Sequence, residues 1–212
     1  MGINFLKTVL LITVTQILLS SGCNNNGTKP CANDGYSFEV TSVFTPEKEI
    51  YNIGDTIFLN IEFSKTLTDL INPSMTVNYS NSTAIVGDIR IYYLDTITRQ
   101  PIPAKDSFLF VPIIGTFTER TNNPGAGINF TFIETPQSYQ FKGGIVCQKK
   151  GIYGFGISNL KSTGLLGKDC TNADFDMSVS NSNKHLHFHQ YALGADPNDP
   201  GLQKTGYDFR VQ

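Results

Sequence analysis

The sequence predicts an all-β protein with the architecture of an antiparallel β-sandwich. Apolar and polar residues alternate in many short runs, which is the period-two pattern of strands that bury one face. Turn-forming Gly, Pro, Asn and Ser separate these runs, as expected for a sandwich of about ten short strands. Long stretches of the helix formers Ala, Leu, Glu and Lys are missing, while 15 Phe and 9 Tyr supply apolar volume for a core.

The clearest strands lie in the first half of the chain. Residues 36–44 alternate aromatic or aliphatic side chains with polar ones, and Pro46 ends the pattern. A turn at Gly54-Asp55 leads into residues 57–63, the most regular alternation in the protein. Residues 84–95 carry apolar side chains on both faces, which indicates a central strand.

One of these stretches resembles a known class of domains. Residues 51–63 read Tyr-x-x-Gly-Asp-Thr-Ile-x-Leu-x-Ile-x-Phe, a pattern similar to the early strands of bacterial immunoglobulin-like sandwich modules. The resemblance implies an immunoglobulin-like fold for the sandwich. It carries over no catalytic residues, because such modules share no active site.

Proline and glycine define the elements that follow. Residues 107–114 form an apolar run interrupted by Pro112, which predicts an edge or bulged strand. Residues 121–127 are a loop, after which strand residues resume. Residues 143–147 and 152–158 predict the two arms of a hairpin, and Gly154 and Gly156 in the second arm leave one face bare. Another backbone or a large aromatic side chain could approach closely there.

The last third predicts three more strands, at residues 175–179, 184–191 and 207–211. Between them, residues 196–201 read Asp-Pro-Asn-Asp-Pro-Gly, a turn-forming sequence rich in oxygen ligands. The stretch lacks the spacing and the terminal glutamate of a calcium-binding EF-hand loop. We therefore interpret it as a turn.

The amino terminus has the layout of a secretory signal peptide. Lys7 precedes an apolar run that is shorter than the roughly 20 residues of a membrane-spanning helix. The run leads into Leu19-Ser20-Ser21-Gly22-Cys23, which resembles the lipobox of bacterial lipoproteins. The resemblance implies cleavage after Gly22 and lipidation of Cys23, and Asn24 after it favours the outer membrane. Plain cleavage that leaves Cys23 as a disulfide partner is the alternative.

With Cys23 lipidated, three cysteines remain for disulfide formation, which export permits. We favour a bond between Cys147 and Cys170, because the predicted hairpin between them could bring its ends together. Cys31 would then be an odd thiol near the membrane anchor. Spacing alone allows all three pairings.

All three histidines of the chain, His185, His187 and His189, fall in one predicted strand. Residues two apart on a strand share a face, so these imidazoles could together bind Zn²⁺ or another divalent metal. The competing interpretation is a solvated strand face that merely tolerates histidine. Apart from this metal site, the sequence predicts no cofactor.

Charge and motif content narrow the function classes. The formal net charge is −2, from 16 basic and 18 acidic residues, so the basic face expected of a nucleic-acid-binding protein is absent. No Gly-x-Ser-x-Gly, phosphate-binding loop or nucleophilic cysteine next to histidine occurs. We therefore predict that the protein is not an enzyme. The alternative is a carbohydrate-active or other hydrolase, because paired carboxylates from separate strands leave no local signature in a sequence.

Together these observations predict a signal peptide at residues 1–22, a flexible tether at 23–35 and one sandwich domain at 36–212. The whole chain resembles the small uncharacterised lipoproteins common in Bacteroidota, which implies an outer-membrane anchor facing the periplasm or the cell surface. The predicted function is a binding or structural module for a protein or a glycan, with residues 121–127 and 196–201 as candidate recognition loops. The alternative is a periplasmic metal-binding protein using the three histidines.

Overall fold

Residues 35–168 and 170–212 are described by a computed structural model of the protein. The predicted signal peptide, the lipidation of Cys23 and nearly all of the predicted tether lie outside these residues. The predictions made for them therefore remain predictions. The predicted strands, the histidine segment and the two predicted recognition loops lie within the described part.

Sixteen strands account for most of the described chain. They are Tyr36–Thr45 (β1), Ile50–Tyr51 (β2), Thr56–Ser64 (β3), Thr66–Thr68 (β4), Thr76–Asn78 (β5), Ile85–Asp95 (β6), Gln100–Pro103 (β7), Phe108–Ile114 (β8), Thr116–Glu119 (β9), Gly127–Thr131 (β10), Ile133–Glu134 (β11), Ser138–Cys147 (β12), Gly151–Ile157 (β13), Leu160–Ser162 (β14), Ala173–Val179 (β15) and Gly206–Val211 (β16). Two short α-helices, His187–Leu193 (α1) and Pro200–Thr205 (α2), and 3-10 turns at Lys105–Ser107 and Pro124–Ala126 complete the elements. The all-β prediction is confirmed.

The strands join into a 14-stranded sheet along the path β11-β12-β3-β1-β15-β14-β6-β13-β16-β2, while β4 and β5 form a separate pair. Most pairs are antiparallel, but β1 with β15 and β2 with β16 run parallel. The two halves of the sheet face each other. Rings from opposite halves meet in the core, with centroids 5.6 Å apart for Phe44 and Phe155 and 4.6 Å apart for Phe130 and Phe141. This packing of one sheet half on the other makes the fold a sandwich.

The positions predicted for two strands are confirmed. Strand β6 has partners on both sides, pairing with β13 and β14 among others, as expected for a central strand. Strand β8 pairs with β12 alone, and its register shifts at Gly143, opposite Pro112. Proline removes a hydrogen-bond donor from the strand, so β8 lies at an edge with an irregularity, as predicted.

The predicted hairpin of residues 143–158 is wrong. Strand β12 pairs with β3, β8 and β11, whereas β13 pairs with β6 and β16. The connection between β12 and β13 therefore crosses from one half of the sheet to the other. Each of the two strands is buried by its own neighbours in the sheet. A local alternation pattern does not specify which strands those neighbours are.

The predicted strand at residues 184–191 is also wrong, because residues from His187 onward form helix α1. Phe188 and Ala192, four residues apart, are buried on the side of the helix that faces the sheet, against Leu94 and Ile152. Gly194 ends the helix in the left-handed conformation at φ 70°, and its N–H donates to the carbonyl of Gln190.

Neither helix in the described part of the chain is long and apolar enough to span a membrane.

Candidate functional site

The three histidines do not form the shared face that the sequence predicts. His185 is buried in the turn before α1, while His187 and His189 lie in the first turn of the helix. On a helix, residues two apart point roughly 200° away from each other, so the strand geometry for a metal is lost. No group of three or more His, Cys, Asp or Glu side chains among the described residues could hold a metal ion.

One histidine instead pairs with a buried carboxylate on the neighbouring strand β16. His189 Nδ1 lies 2.5 Å from Asp208 Oδ2, and the backbone N–H of His189 donates to the same oxygen at 3.2 Å. Asp208 is completely buried, and its second oxygen, Oδ1, has no hydrogen-bond partner. Asp208 therefore satisfies an unpaired backbone donor at the start of α1 and also orients the His189 ring.

The chemistry of this pair follows from its hydrogen bonds. A carboxylate only accepts, so Nδ1 of neutral His189 carries the proton and Nε2 keeps a free lone pair. Burial raises the pKa of Asp208, and the hydrogen bonds from His189 oppose that rise. The pair presents an imidazole of fixed tautomer and orientation, the arrangement that binding sites and acid–base catalysts both use.

His189 lines a groove of about 310 Å³ on the outer face of β6, β13 and β16, which we call the glycine groove. The strand register determines which residues form the floor of this groove. Gly154 lies between Tyr92 and Asp208, and in the next row Gly156 lies between Arg90 and Gly206. Helices α1 and α2 contribute the walls through His189, Leu202 and Thr205.

The face without side chains that the sequence predicts at Gly154 and Gly156 is thus present, and the His189 ring fills part of it. A Cβ on Gly154 would lie 2.8 Å from Cε1 of His189 and 2.9 Å from Oδ1 of Asp208, so the His189 ring takes the space of the missing side chain. A Cβ on Gly156 would meet nothing within 4 Å. The first glycine admits the histidine, and the second leaves the floor of the groove open.

One of the two predicted recognition loops contributes to this groove. Asp199 and Gly201, from residues 196–201, line it, whereas no residue of 121–127 does. Residues 196–199 form a turn, as we interpreted them, but Pro200 and Gly201 begin α2. Asp199 caps this helix by accepting from the N–H of Leu202 at 2.9 Å. The hydroxyl of Thr205, which also lines the groove, donates to the carbonyl of Gly201. It therefore does not donate to His189, as the hydroxyl of a histidine-activated nucleophile would.

His185 lies beside a separate pocket lined by Lys184, His187, Pro197 and Gln203. Its ring is buried next to Tyr207, with centroids 5.9 Å apart, and neither ring nitrogen has a hydrogen-bond partner. Burial lowers the pKa of His185, and the charge of His187 lowers it further, while Glu49 and Glu47 act in the opposite direction. The folded protein therefore favours neutral His185.

This burial predicts acid-sensitive stability. Because the pKa of His185 is lower in the folded than in the unfolded chain, the unfolded chain binds the proton first as the pH falls below about 6.5. We expect the free energy of unfolding of wild type relative to His185→Asn to fall between pH 7 and pH 5, by at most about 1.4 kcal/mol per pH unit. Asn tolerates the left-handed backbone of His185, at φ 53°, and does not titrate.

Urea denaturation at several pH values measures this difference, with His187→Asn as the matched control in the same segment. The control should retain most of the acid sensitivity of wild type, because burial is the largest cause of the lowered pKa of His185 and the charge of His187 only adds to it. Parallel pH profiles for wild type and His185→Asn would show that His185 is not the group responsible.

The predicted disulfide between Cys147 and Cys170 is wrong. Cys147, at the end of β12, is a buried free thiol, and burial raises its pKa to about 12. Cys170 is disulfide-bonded, so its partner is not Cys147. The pairing rested on a hairpin between β12 and β13, and these strands lie in different halves of the sheet.

Sequence patterns did not identify Asp208 and Arg90 as site residues. Asp208 follows Gly206 and Tyr207 in an apolar strand, and a lone acidic residue at that position indicates only a solvent-facing side chain. The sequence feature that pointed to the site was the pair of glycines at 154 and 156, which form the floor of the groove. Nothing local indicated which residues would surround it.

Comparisons with known proteins yield distant structural neighbours alone. No family model and no curated protein matches the sequence. Among solved structures, a cohesin module from a Clostridium perfringens family 33 glycoside hydrolase matches at a TM-score of 0.37 and 8% identity, over 82% of this chain and 98% of that chain. The reeler domain of human F-spondin matches at 0.35 and 7% identity, over 87% and 99%. AvmM, which catalyses macrocyclization in alchivemycin A biosynthesis, matches at 0.36 and 8% identity, over 84% and 89%. These superpositions are loose, so the fold assignment here rests on the strand pairing itself.

Proposed function

We propose that this chain is a lipid-anchored protein of a bacterial cell envelope whose sandwich acts as a protein-binding module. The anchor in this proposal is the lipid on Cys23. The observation that carries the binding role is an apolar strip on edge strand β8, made of Leu109, Val111 and Ile113, which we call the β8 strip.

The β8 strip consists of exposed aliphatic side chains on an edge strand. Phe108 is buried, while Leu109, Val111 and Ile113 are 56%, 43% and 49% exposed. Val111 pairs with Gly144 on the adjoining strand β12, so no side chain at that position covers it. Exposed apolar patches commonly mark surfaces where a protein, a membrane or a ligand docks.

The chemistry of the strip favours a protein partner over a glycan. Aliphatic side chains offer no hydrogen bonds to sugar hydroxyls, whereas an apolar protein surface would bury all three. Burying the exposed half of each side chain contributes roughly 1 kcal/mol per residue. Pro112 lacks an N–H group in the middle of the strand, so the partner docks on side chains instead of adding a strand to the edge.

The docking prediction is tested by photo-crosslinking in the living bacterium. With p-benzoylphenylalanine at position 111, we expect a discrete adduct with one protein. The same label at Ile97, a residue that is 90% exposed in a turn, should give no such adduct. The purified partner should then bind wild type at least tenfold more tightly than Val111→Asp, and Ile97→Asp should bind like wild type.

Two outcomes would contradict the docking role. One is identical adducts at positions 111 and 97, and the other is unchanged affinity of the purified partner for Val111→Asp. The anchor is tested separately, by labelling with radioactive palmitate. We expect wild type to incorporate the label and Cys23→Ser to lose it together with membrane attachment; an unlabelled wild type would contradict the anchor.

A further inference from the structure

We propose that the glycine groove binds a sugar ring, which makes the sandwich a carbohydrate-binding as well as a protein-binding module. The site comprises Gly156 on the floor, Arg90 and Tyr92 on one side and His189 and Asp199 on the helical side. It lies on β6, β13 and β16, whereas the β8 strip lies on an edge strand that pairs with β12 alone. The proposal therefore does not depend on the docking role.

The missing side chain of Gly156 has no structural cause. Its backbone is not left-handed, and a Cβ there would touch no other atom within 4 Å. A glycine inside a strand weakens it and gives it no side chain to pack, so a β-branched residue would stabilise this position. Glycine at such a site keeps space open for close approach by a ligand.

Polar groups surround the open space above Gly156. Arg90 supplies donors, Asp199 supplies acceptor oxygens, and His189 supplies Nε2 with a lone pair. Only Oδ1 of Asp199 is used by the cap of α2. Asp88 pairs with Arg90 at 3.5 Å and with Arg120 at 3.3 Å, so together with Asp199 the four formal charges cancel. An anion would face Asp199 and a cation would face Arg90, so the groove suits an uncharged ligand with many hydroxyl groups.

Two of the side chains that line the groove, His189 and Tyr92, are held in place by their contacts. His189 is held by two hydrogen bonds to Asp208, which is completely buried. Tyr92 packs against the cluster of Leu94, Ile152, Phe188 and Ala192 that fixes α1 on the sheet. His189 and Tyr92 are thus ordered before any ligand arrives, which lowers the entropic cost of binding.

The size of the groove agrees with a single ring. At about 310 Å³ it is at the lower end of small-molecule sites, and it is open to solvent on one side. A sugar at the end of a glycan chain could place one ring over Gly156, against the ring of Tyr92, while the rest of the chain extends outward. Donors and acceptors on opposite walls would then meet hydroxyls on opposite edges of the ring.

The test uses the full chain purified in detergent and a microarray of bacterial and host glycans. We expect wild type to bind at least one class of printed glycan, and calorimetry with that glycan to give a dissociation constant. Gly156→Val fills the floor and should weaken binding at least tenfold. The matched control is Gly125→Val, because a Cβ there also has ample room, with its nearest neighbour 3.9 Å away.

A second variant guards against misfolding of Gly156→Val, which is checked by its thermal midpoint. Arg90→Ala removes a half-exposed side chain and should also weaken binding at least tenfold without affecting the fold. Val111→Asp should bind the glycan like wild type, which separates this site from the β8 strip. The proposal is overturned if folded wild type binds no glycan on the array. Equal binding by wild type, folded Gly156→Val and Arg90→Ala would also overturn it.

Discussion

Phe209→Ala is expected to lower the free energy of unfolding by about 3–5 kcal/mol, the range for removing a large aromatic side chain from a core. Phe209 lies on β16 and is completely buried. Its ring is surrounded by five other rings, those of Phe155 at 4.7 Å, Tyr51 at 5.3 Å, Phe108 and Tyr153 at 6.0 Å and Tyr207 at 6.1 Å between centroids. Rings on three or more strands cannot all move into the space, so a cavity remains.

Urea denaturation measures this loss, and two variants calibrate it. Phe209→Leu keeps most of the volume and should cost less, about 1–2 kcal/mol. Tyr191→Ala removes an aromatic ring that is 65% exposed and should change the stability by no more than about 0.5 kcal/mol. A loss below about 1 kcal/mol for Phe209→Ala would show that the core collapses around the site.

Asn181→Ala is expected to destabilise the fold by about 2–4 kcal/mol, because two buried backbone groups lose their partners. Strand β15 ends at Val179, and the side chain of Asn181 continues its pairing with β1. Nδ2 of Asn181 donates to the carbonyl of Phe44 at 2.7 Å, and Oδ1 accepts from the N–H of Phe44 at 2.8 Å. The amide thus replaces a strand residue just before the segment that carries His185.

The same variant should loosen the turn that leads into α1. Glu47 accepts from the backbone N–H groups of Ser182 and Asn183, and Asn181 Nδ2 contacts that carboxylate at 3.3 Å. We expect amide hydrogen exchange across residues 182–187 to quicken in Asn181→Ala. The control is Asn198→Ala, an exposed residue of the α2 turn, which should stay within about 0.5 kcal/mol of wild type. Equal stability of the two variants would mean that water replaces the lost amide.

Asn181→Asp distinguishes hydrogen bonding from packing at this position. The carboxylate has nearly the same shape as the amide and still accepts from the N–H of Phe44. It also places an oxygen against the carbonyl oxygen of Phe44, where the amide placed a donor. We therefore expect this isosteric change to be at least as destabilising as Asn181→Ala.

The sequence by itself determined the strands whose pattern is local. In β1, β3 and residues 85–92 of β6 each buried residue is followed by a more exposed one, and this period of two is set by the geometry of a single strand. Pro112 likewise placed β8 at an edge, because a missing N–H cannot be supplied by any neighbour. The glycines at 154 and 156 marked a bare surface for the same reason, since the absence of a side chain is visible without the fold.

Only the tertiary structure decided which strands pair and what the bare surface holds. Cys147 and Gly151 are close in sequence, but their strands join different halves of the sheet, so both the hairpin and the disulfide predicted from it failed. Leu186 and Phe188 fit a strand and a short helix equally well, and the choice depended on Ala192 packing on Ile152 and on the cap at Gly194. His189 meets Asp208 from 19 residues away because α1 crosses the face of β16. Contacts between distant segments are selected by the burial that they allow, and the spacing of residues along the chain carries no record of them.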